Sequence, residues 1–303
     1  MKHILISLFF IGALNSMEPQ PLTPRTPLIP HKEIKREPRE WDAQAYDEGS
    51  RIQTEAFLQF LATYNINTKD RFILDVGCGT GKIAAKLAPK AEFIHGCDAS
   101  KNMIDLAQKN CGHIQNLSFE HCFAEDFTSL RQYQLAFASF CIHWFENQKQ
   151  AFQRIYASLE NNGELFATVQ TSDNPIPPEF IAAQEIIEDM TINKAYKYFA
   201  GKDLVDLTAC TFSSTEDLKN MLKEVGFRIL KCEQQTYFLL MTKDEIIKTE
   251  RPIVFSRPIM KLIPNIFIEP FFNDYIDLYL SKLQKTGDQY LTQIITTIVH
   301  ARK

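Results

Sequence analysis

Between residues 71 and 169 the apolar positions gather into short blocks that read as strands. These cover residues 72–76, 92–98, 117–122, 135–140 and 164–169. Helical spacing appears between them. Met103, Ile104 and Leu106 follow the second block, and Phe152, Ile155, Tyr156 and Leu159 precede the fifth. Strand and helix alternate, the pattern of a parallel sheet covered by helices. Further on, Ser213-x-x-Glu216 reads as a capping box opening a helix through Leu218, Met221, Leu222 and Val225, which Gly226 ends. A sixth strand is expected from Phe227 to about Cys232, and a β-branched final strand over residues 290–301.

The first block carries the chemistry. Residues 71–82 read RFILDVGCGTGK: an apolar run containing Asp75, then glycines at 77, 79 and 81. This predicts a buried strand, a tight turn and a helix starting near Thr80. Glycines there let the main chain approach a ligand closely. A dinucleotide fingerprint would need its third glycine at position 82, which is Lys, and no G-K-[ST] closes a P-loop. Asp75 would repel a phosphate but suits an ammonium or sulfonium. S-adenosylmethionine carries both charges and no phosphate. The pattern D-x-G-x-G-x-G resembles the first motif of class I S-adenosylmethionine-dependent methyltransferases.

That resemblance implies a doubly wound α/β fold with a seven-stranded, mostly parallel sheet and helical cap insertions. It also gives roles to later positions. Asp98 ends the second strand about 20 residues beyond the glycine loop, where an acid bonds a ribose diol. Ala99 and Ser100 follow, opening the helix of Met103. In Phe123-Ala124-Glu125-Asp126-Phe127, the family's adenine acceptor falls on Asp126 and its backbone donor on Ala124. The cofactor set implied is Tyr46, Gln53, Asp75, Gly77, Cys78, Gly79, Gly81, Asp98, Ala99, Met103, Ala124, Glu125, Asp126 and Ser139, with S-adenosylmethionine as cofactor.

Residues 41–61 read as one helix, with Tyr46, Ser50, Gln53 and Phe57 on one face. The segment resembles the W-x-x-x-x-Y-x-x-x-S-x-x-Q helix of methyltransferases acting on small carboxylic acids and acyl-carrier-protein thioesters, where it closes over the cofactor's methionine end. The alternative is a capping aromatic with two solvated polar residues. His143-Trp144 after the fourth strand resembles His-Trp or Gln-Trp pairs of the trans-aconitate, malonyl-carrier-protein and juvenile-hormone-acid group. It makes His143 and Trp144 the catalytic candidates, against packing alone. Gln134 stands where the family usually has Asp.

Composition adds limits. The 303 residues carry a net charge of −4 and no uninterrupted basic run, so a nucleic-acid partner is not expected. Seven cysteines without a C-x-x-C pair indicate neither a zinc site nor a disulfide framework. Residues 1–16 resemble a signal peptide, too short to span a membrane, although translation from Met17 is an alternative. A cytoplasmic location is expected in the second case and export in the first. Prolines at 19, 21, 24, 27, 30 and 38 make residues 17–40 a linker, leaving 41–303 as the methyltransferase domain. Cap segments are placed at 174–212, with helices at 178–190 and 193–199, and at 242–285. The second, rich in aromatics, reads as a substrate lid, a packed helical subdomain or a dimer surface.

A carboxylate acceptor is ionised at neutral pH and needs no base. No base beyond His143 is visible. O-methylation of a small or lipophilic carboxylic acid is therefore expected. The alternatives are a phenolic or quinone-type ring or a protein side chain with His143 as base, or a cofactor-binding regulatory or effector protein without turnover.

Overall fold

The computed structural model describes residues 41–174, 211–255 and 265–303. The signal-like segment, the proline-rich linker and the helices expected at 178–190 and 193–199 lie outside the described residues. In chain order the elements begin α1 (Ala43–Gly49), α2 (Arg51–Thr63), β1 (Phe72–Val76), α3 (Lys82–Leu87), β2 (Phe93–Asp98) and α4 (Lys101–Cys111). They continue β3 (Leu117–His121), β4 (Tyr133–Ser139), α5 (Gln148–Ser158), β5 (Leu159–Val169) and α6 (Thr215–Val225). The last are β6 (Arg228–Thr242), α7 (Lys243–Phe255), α8 (Asn265–Ser281), β7 (Gln284–Thr286) and β8 (Gln289–Arg302).

The sheet runs β3-β2-β1-β4-β5-β8-β6, with β7 also on β8. β1 to β5 are parallel, and β8 is antiparallel to β5, β6 and β7. The sheet therefore has eight strands, not the expected seven. The extra one arises where Gly287, at φ 64°, turns the chain so that Thr286 faces Gln289 across a two-residue hairpin. β6 also extends ten residues past its expected end, because β8 offers a ladder reaching Thr242 opposite Gln289.

Alternate residues of each strand pack on opposite faces. Ile73 and Phe137 join Phe57, Phe60 and Ala107 under α2 and α4. Leu74 and Ala138 join Phe152, Ile155, Leu218 and Leu222 under α5 and α6. Phe57 is fully buried, edge-on to Phe137 at 5.3 Å and to Phe166 at 5.8 Å. Burial of one such ring contributes about 1.5–3 kcal/mol. A third apolar cluster gathers Ile52 with Met241, Ile246, Phe272, Tyr275 and Tyr279 from β6, α7 and α8. Gln134 fills the family's acid position by accepting from Phe72 N at 2.7 Å and donating to Glu160 at 3.1 Å.

Two local expectations shift. The helix expected over 41–61 divides at Ser50 into α1 and α2, so its anticipated face also divides. Phe57 enters the core, while Tyr46 and Gln53 line a cavity. The α6 cap lies one residue later than expected, since Ser214 accepts from Asp217 N. Ser213 instead donates to Gln148 at 2.9 Å.

Candidate functional site

β1 has β2 on one side and β4 on the other, so the strand order reverses beside it. Ligands of doubly wound sheets bind outside the strand carboxyl ends at such a point. Here Gly77, Gly79 and Gly81 take φ of 68°, 54° and 78°. Gly77 N and Cys78 N both donate to the Cys97 carbonyl, at 2.7 and 3.0 Å, drawing the loop onto the end of β2. Asp98 ends β2 and accepts from Gly79 N at 2.9 Å and Ser100 N at 2.8 Å.

Asp75 differs from Asp98 in its surroundings. It is 1% exposed, and neither carboxylate oxygen has a hydrogen-bond partner. Burial, then the charge of Asp98, pushes its pKa up to about 7. Two orphaned acceptors beside a left-handed glycine loop fit a cationic amine donor, as S-adenosylmethionine would bring.

Tyr46 covers this loop, its ring close to Gly79, and burial followed by the Asp98 charge pushes its phenol pKa up. Asp47 latches α1 down. It accepts from Thr80 Oγ1 at 2.5 Å, and Lys82 Nζ bonds its carbonyl and lies 3.4 Å from its carboxylate. The lysine that breaks a dinucleotide fingerprint is thus a structural anchor for α1.

Past β4 the chain makes a strained turn. Phe140 has φ 52° and donates its N–H to both the carbonyl and the hydroxyl of Thr168, at 3.1 and 3.0 Å. Such strain persists where neighbours over-determine it. A single 3₁₀ turn, Ile142–Trp144, follows. It places His143, 6% exposed, in a stack on Phe212 at 5.8 Å and beside Trp144 at 5.1 Å. Trp144 meets Trp41 edge-on at 5.3 Å, and Trp41 meets Tyr46 at 5.5 Å. Gln148 ties the turn to the following segment by donating to Ile142 O and Thr211 O.

The cavity bounded by these groups measures about 130 Å³. Tyr46, Gln53, His143 and Trp144 all line it, as do Phe140 and Gln170. Met241, Ile246, Glu250 and Tyr279 complete it from β6, α7 and α8. No Lys or Arg is among the described residues that line it.

The remaining expected cofactor residues behave differently from one another. Ala99 and Met103 follow the end of β2, with Met103 buried, and Ser139 ends β4. Ala124 is buried and Asp126 exposed beyond β3. The Glu125 carboxylate accepts from Glu146 N at 2.9 Å and Asn147 N at 3.2 Å, so it fixes the entry to α5. Cys78 has its sulfur against Gly96, burial pushes its thiol pKa up, and its backbone bonds the Cys97 carbonyl and Gly81 N. Sequence reasoning missed Phe140, Glu250 and the Asp47–Lys82 latch. Only the positive φ of Phe140 marks it, and no sequence pattern carries that.

Residues 73–163 match the family model described as a methyltransferase domain. This part of the chain is a class I S-adenosylmethionine-dependent methyltransferase domain. Its cofactor is S-adenosylmethionine. This methyltransferase is 25% identical over 176 residues to malonyl-[acyl-carrier protein] O-methyltransferase 1 of Ilyobacter polytropus, covering 53% of this chain and 66% of that one. It is also 25% identical over 218 residues to juvenile hormone acid O-methyltransferase of Bombyx mori, covering 68% and 73% respectively. The aligned part thus spans about two thirds of the first relative's length. Among solved structures, phosphoethanolamine N-methyltransferase 2 of Haemonchus contortus, in complex with S-adenosyl-L-methionine, shares the fold. The TM-score is 0.51 at 18% identity, covering 86% of this methyltransferase and 56% of that chain.

Proposed function

We propose that this methyltransferase transfers the methyl group to a carboxylate oxygen of a small or lipophilic acid. One observation carries the reading. The cavity beside the glycine loop is mostly apolar, yet sets the Gln53 amide and the His143 imidazole into its wall. Gln53 Oε1 is buried without a partner, and rotation about the last torsion lets the same amide present its N–H₂. An amide and an imidazole can each donate to a carboxylate oxygen while leaving the other oxygen nucleophilic.

When bound, the cofactor supplies an activated methyl group on sulfur. The chain's own residues then have to bind, align and exclude water. Asp75 would hold the ammonium and Asp98 the ribose diol. Tyr46, Trp41 and Trp144 form an aromatic wall that keeps water from the reacting groups. Because the acceptor is already ionised, His143 is assigned to orientation rather than proton removal. The carboxylic-acid substrates of the two O-methyltransferase relatives support this choice.

A phenolic ring or side-chain acceptor is a second reading, favoured by the burial of His143 on the cavity wall. Substitution separates the two. With a carboxylic acid, His143→Ala is expected to lower kcat about tenfold with cofactor affinity unchanged, since one orienting hydrogen bond is lost. A general base would cost roughly 10²–10⁴-fold and impose a pH dependence on kcat. Turnover of a panel of carboxylic acids and phenols, followed as S-adenosylhomocysteine release, is the measurement. Tight cofactor binding without turnover of either class would instead indicate a regulatory protein.

A further inference from the structure

We infer that Phe140 makes the enzyme reject acceptors branched beside the reacting oxygen, so that the acids it methylates are unbranched at the carbon next to the carboxylate. The inference rests on the proposed reading in placing the acceptor in this cavity, and adds which shapes of acid fit it. Four residues other than glycine have a positive φ among the described residues: Asn65, Asp70, Phe140 and Asn162. Asn and Asp tolerate that conformation, and these three are exposed. Phe140 is the exception, a bulky half-buried ring at φ 52°. Its N–H is held by two acceptors of one residue, the carbonyl and hydroxyl of Thr168, which is itself fully buried on β5.

An asparagine would offer Thr168 the same N–H with less backbone strain, so the turn itself does not call for a phenyl group. The side chain gives the reason. Phe140 packs against the cluster of Phe57 and Phe166 and lines the cavity with Gln53, Trp144 and Phe212. Strain kept at a cavity wall points to what the cavity holds. Phe140 also stands beside the cofactor loop. Ser139 before it ends β4, and Cys141 after it donates its Sγ–H to the Val76 carbonyl at 3.1 Å, where β1 enters the glycine turn. Cys141 further fills the space that a Cβ on Gly77 would take. Met241 and Ile246, which line the same cavity from β6 and α7, belong instead to the cap cluster. A ring fixed by its own backbone beside the loop therefore restricts the first atoms of the acceptor more than its tail. A branch next to the carboxylate needs space at the wall the ring occupies, and close-packed walls yield only at a cost.

The test compares hexanoic acid with its α-methyl and α,α-dimethyl derivatives, and phenol with its di-ortho-methyl derivative, in the wild type, Phe140→Gly and Phe140→Ala. Turnover is followed as S-adenosylhomocysteine release, and the affinity for that product by calorimetry. The wild type should prefer hexanoic acid by about tenfold or more in kcat/KM, the discrimination that one extra methyl group produces at a fixed apolar wall. Both variants should lose most of that preference while their affinity for S-adenosylhomocysteine holds. Phe140→Gly should also unfold at a higher temperature than Phe140→Ala, the reverse of their usual order, because glycine takes a positive φ freely. The inference is overturned if the wild type methylates branched and unbranched acids alike, if the variants slow every acid equally, or if the alanine variant is the more stable. If phenols react and acids do not, the carboxylate reading fails, and the contrast between the two phenols decides on Phe140. If neither class reacts, the acids are compared by calorimetry on protein saturated with S-adenosylhomocysteine. A wild-type preference that the variants lose would then uphold the role of Phe140, and equal binding or none would overturn it.

Discussion

Replacing Asp75 by asparagine is expected to abolish a pH dependence of cofactor binding that the wild type shows near neutrality. In the wild type the buried carboxyl, pushed up to about 7 by burial and then by Asp98, holds a proton below that pH. On the proposed reading, in which Asp75 holds the cofactor's ammonium, binding requires the ionised form. Affinity should therefore rise with pH up to about 7 and level off above it, falling roughly tenfold per unit below, or about 1.4 kcal/mol. Binding at about pH 6 should release a proton, seen calorimetrically as a heat that changes with the buffer's ionisation enthalpy. The asparagine variant should bind weakly and without this profile. A wild-type affinity that is flat from about pH 5.5 to 8 would remove Asp75 from the ammonium site.

The stability of the unliganded protein moves the other way. The folded pKa of Asp75 is raised from 3.8 to about 7, so between these values the folded state binds more protons than the unfolded one. The contribution is fully present below the lower value and is lost as pH rises through about 7. Its scale is on the order of 4 kcal/mol. Urea unfolding without cofactor should show this loss in the wild type and not in Asp75→Asn. Adding S-adenosylhomocysteine should restore stability most strongly above neutral pH. Groups arranged for a ligand commonly destabilise the empty fold.

The second large effect concerns the glycine loop. Gly77→Val should lower unfolding free energy by about 3 kcal/mol or more and abolish cofactor binding. The φ of 68° disfavours a β-branched residue, and a Cβ there would lie 2.5 Å from the Cys141 Cβ at the end of β4. The loop must then leave β4 or the 141–144 turn must move. Gly287→Ala is the control. Its φ is 64°, but nothing lies within 4 Å of an added Cβ. It should cost only the backbone penalty, about 1–2 kcal/mol, with cofactor affinity unchanged. Equal effects at the two positions would mean that close packing at Gly77 is unimportant.

Such contrasts show where sequence reading reaches its limit. β1, β4 and β5 were legible because each has a strand on both sides and so reads as a largely apolar run. The D-x-G-x-G-x-G pattern and Asp98 were legible because turn geometry and ligand chemistry act over a few adjacent residues. Trp41, Tyr46, Gln53, His143 and Trp144, singled out by the family pattern, line one cavity. By contrast, the contacts of the Glu125 and Cys78 side chains could not be read in sequence. The partners that occupy their side chains, Glu146 and Asn147 for one and Gly96 for the other, are settled only on folding.

By itself, then, the sequence determined the alternating parallel core, the cofactor loop and its charge. Those properties follow from local periodicity and from residue types at fixed short spacing. Tertiary structure alone decided the length of β6, the break at Ser50 and the left-handed Phe140. It also brought Glu250 to the wall that His143 shares. Each depends on a partner far along the chain: β8 for β6, Lys82 for the α1–α2 junction, Thr168 for Phe140 and Tyr275 for Glu250. A pairing across such distances leaves no periodic trace in either segment, because its energy exists only once both surfaces meet.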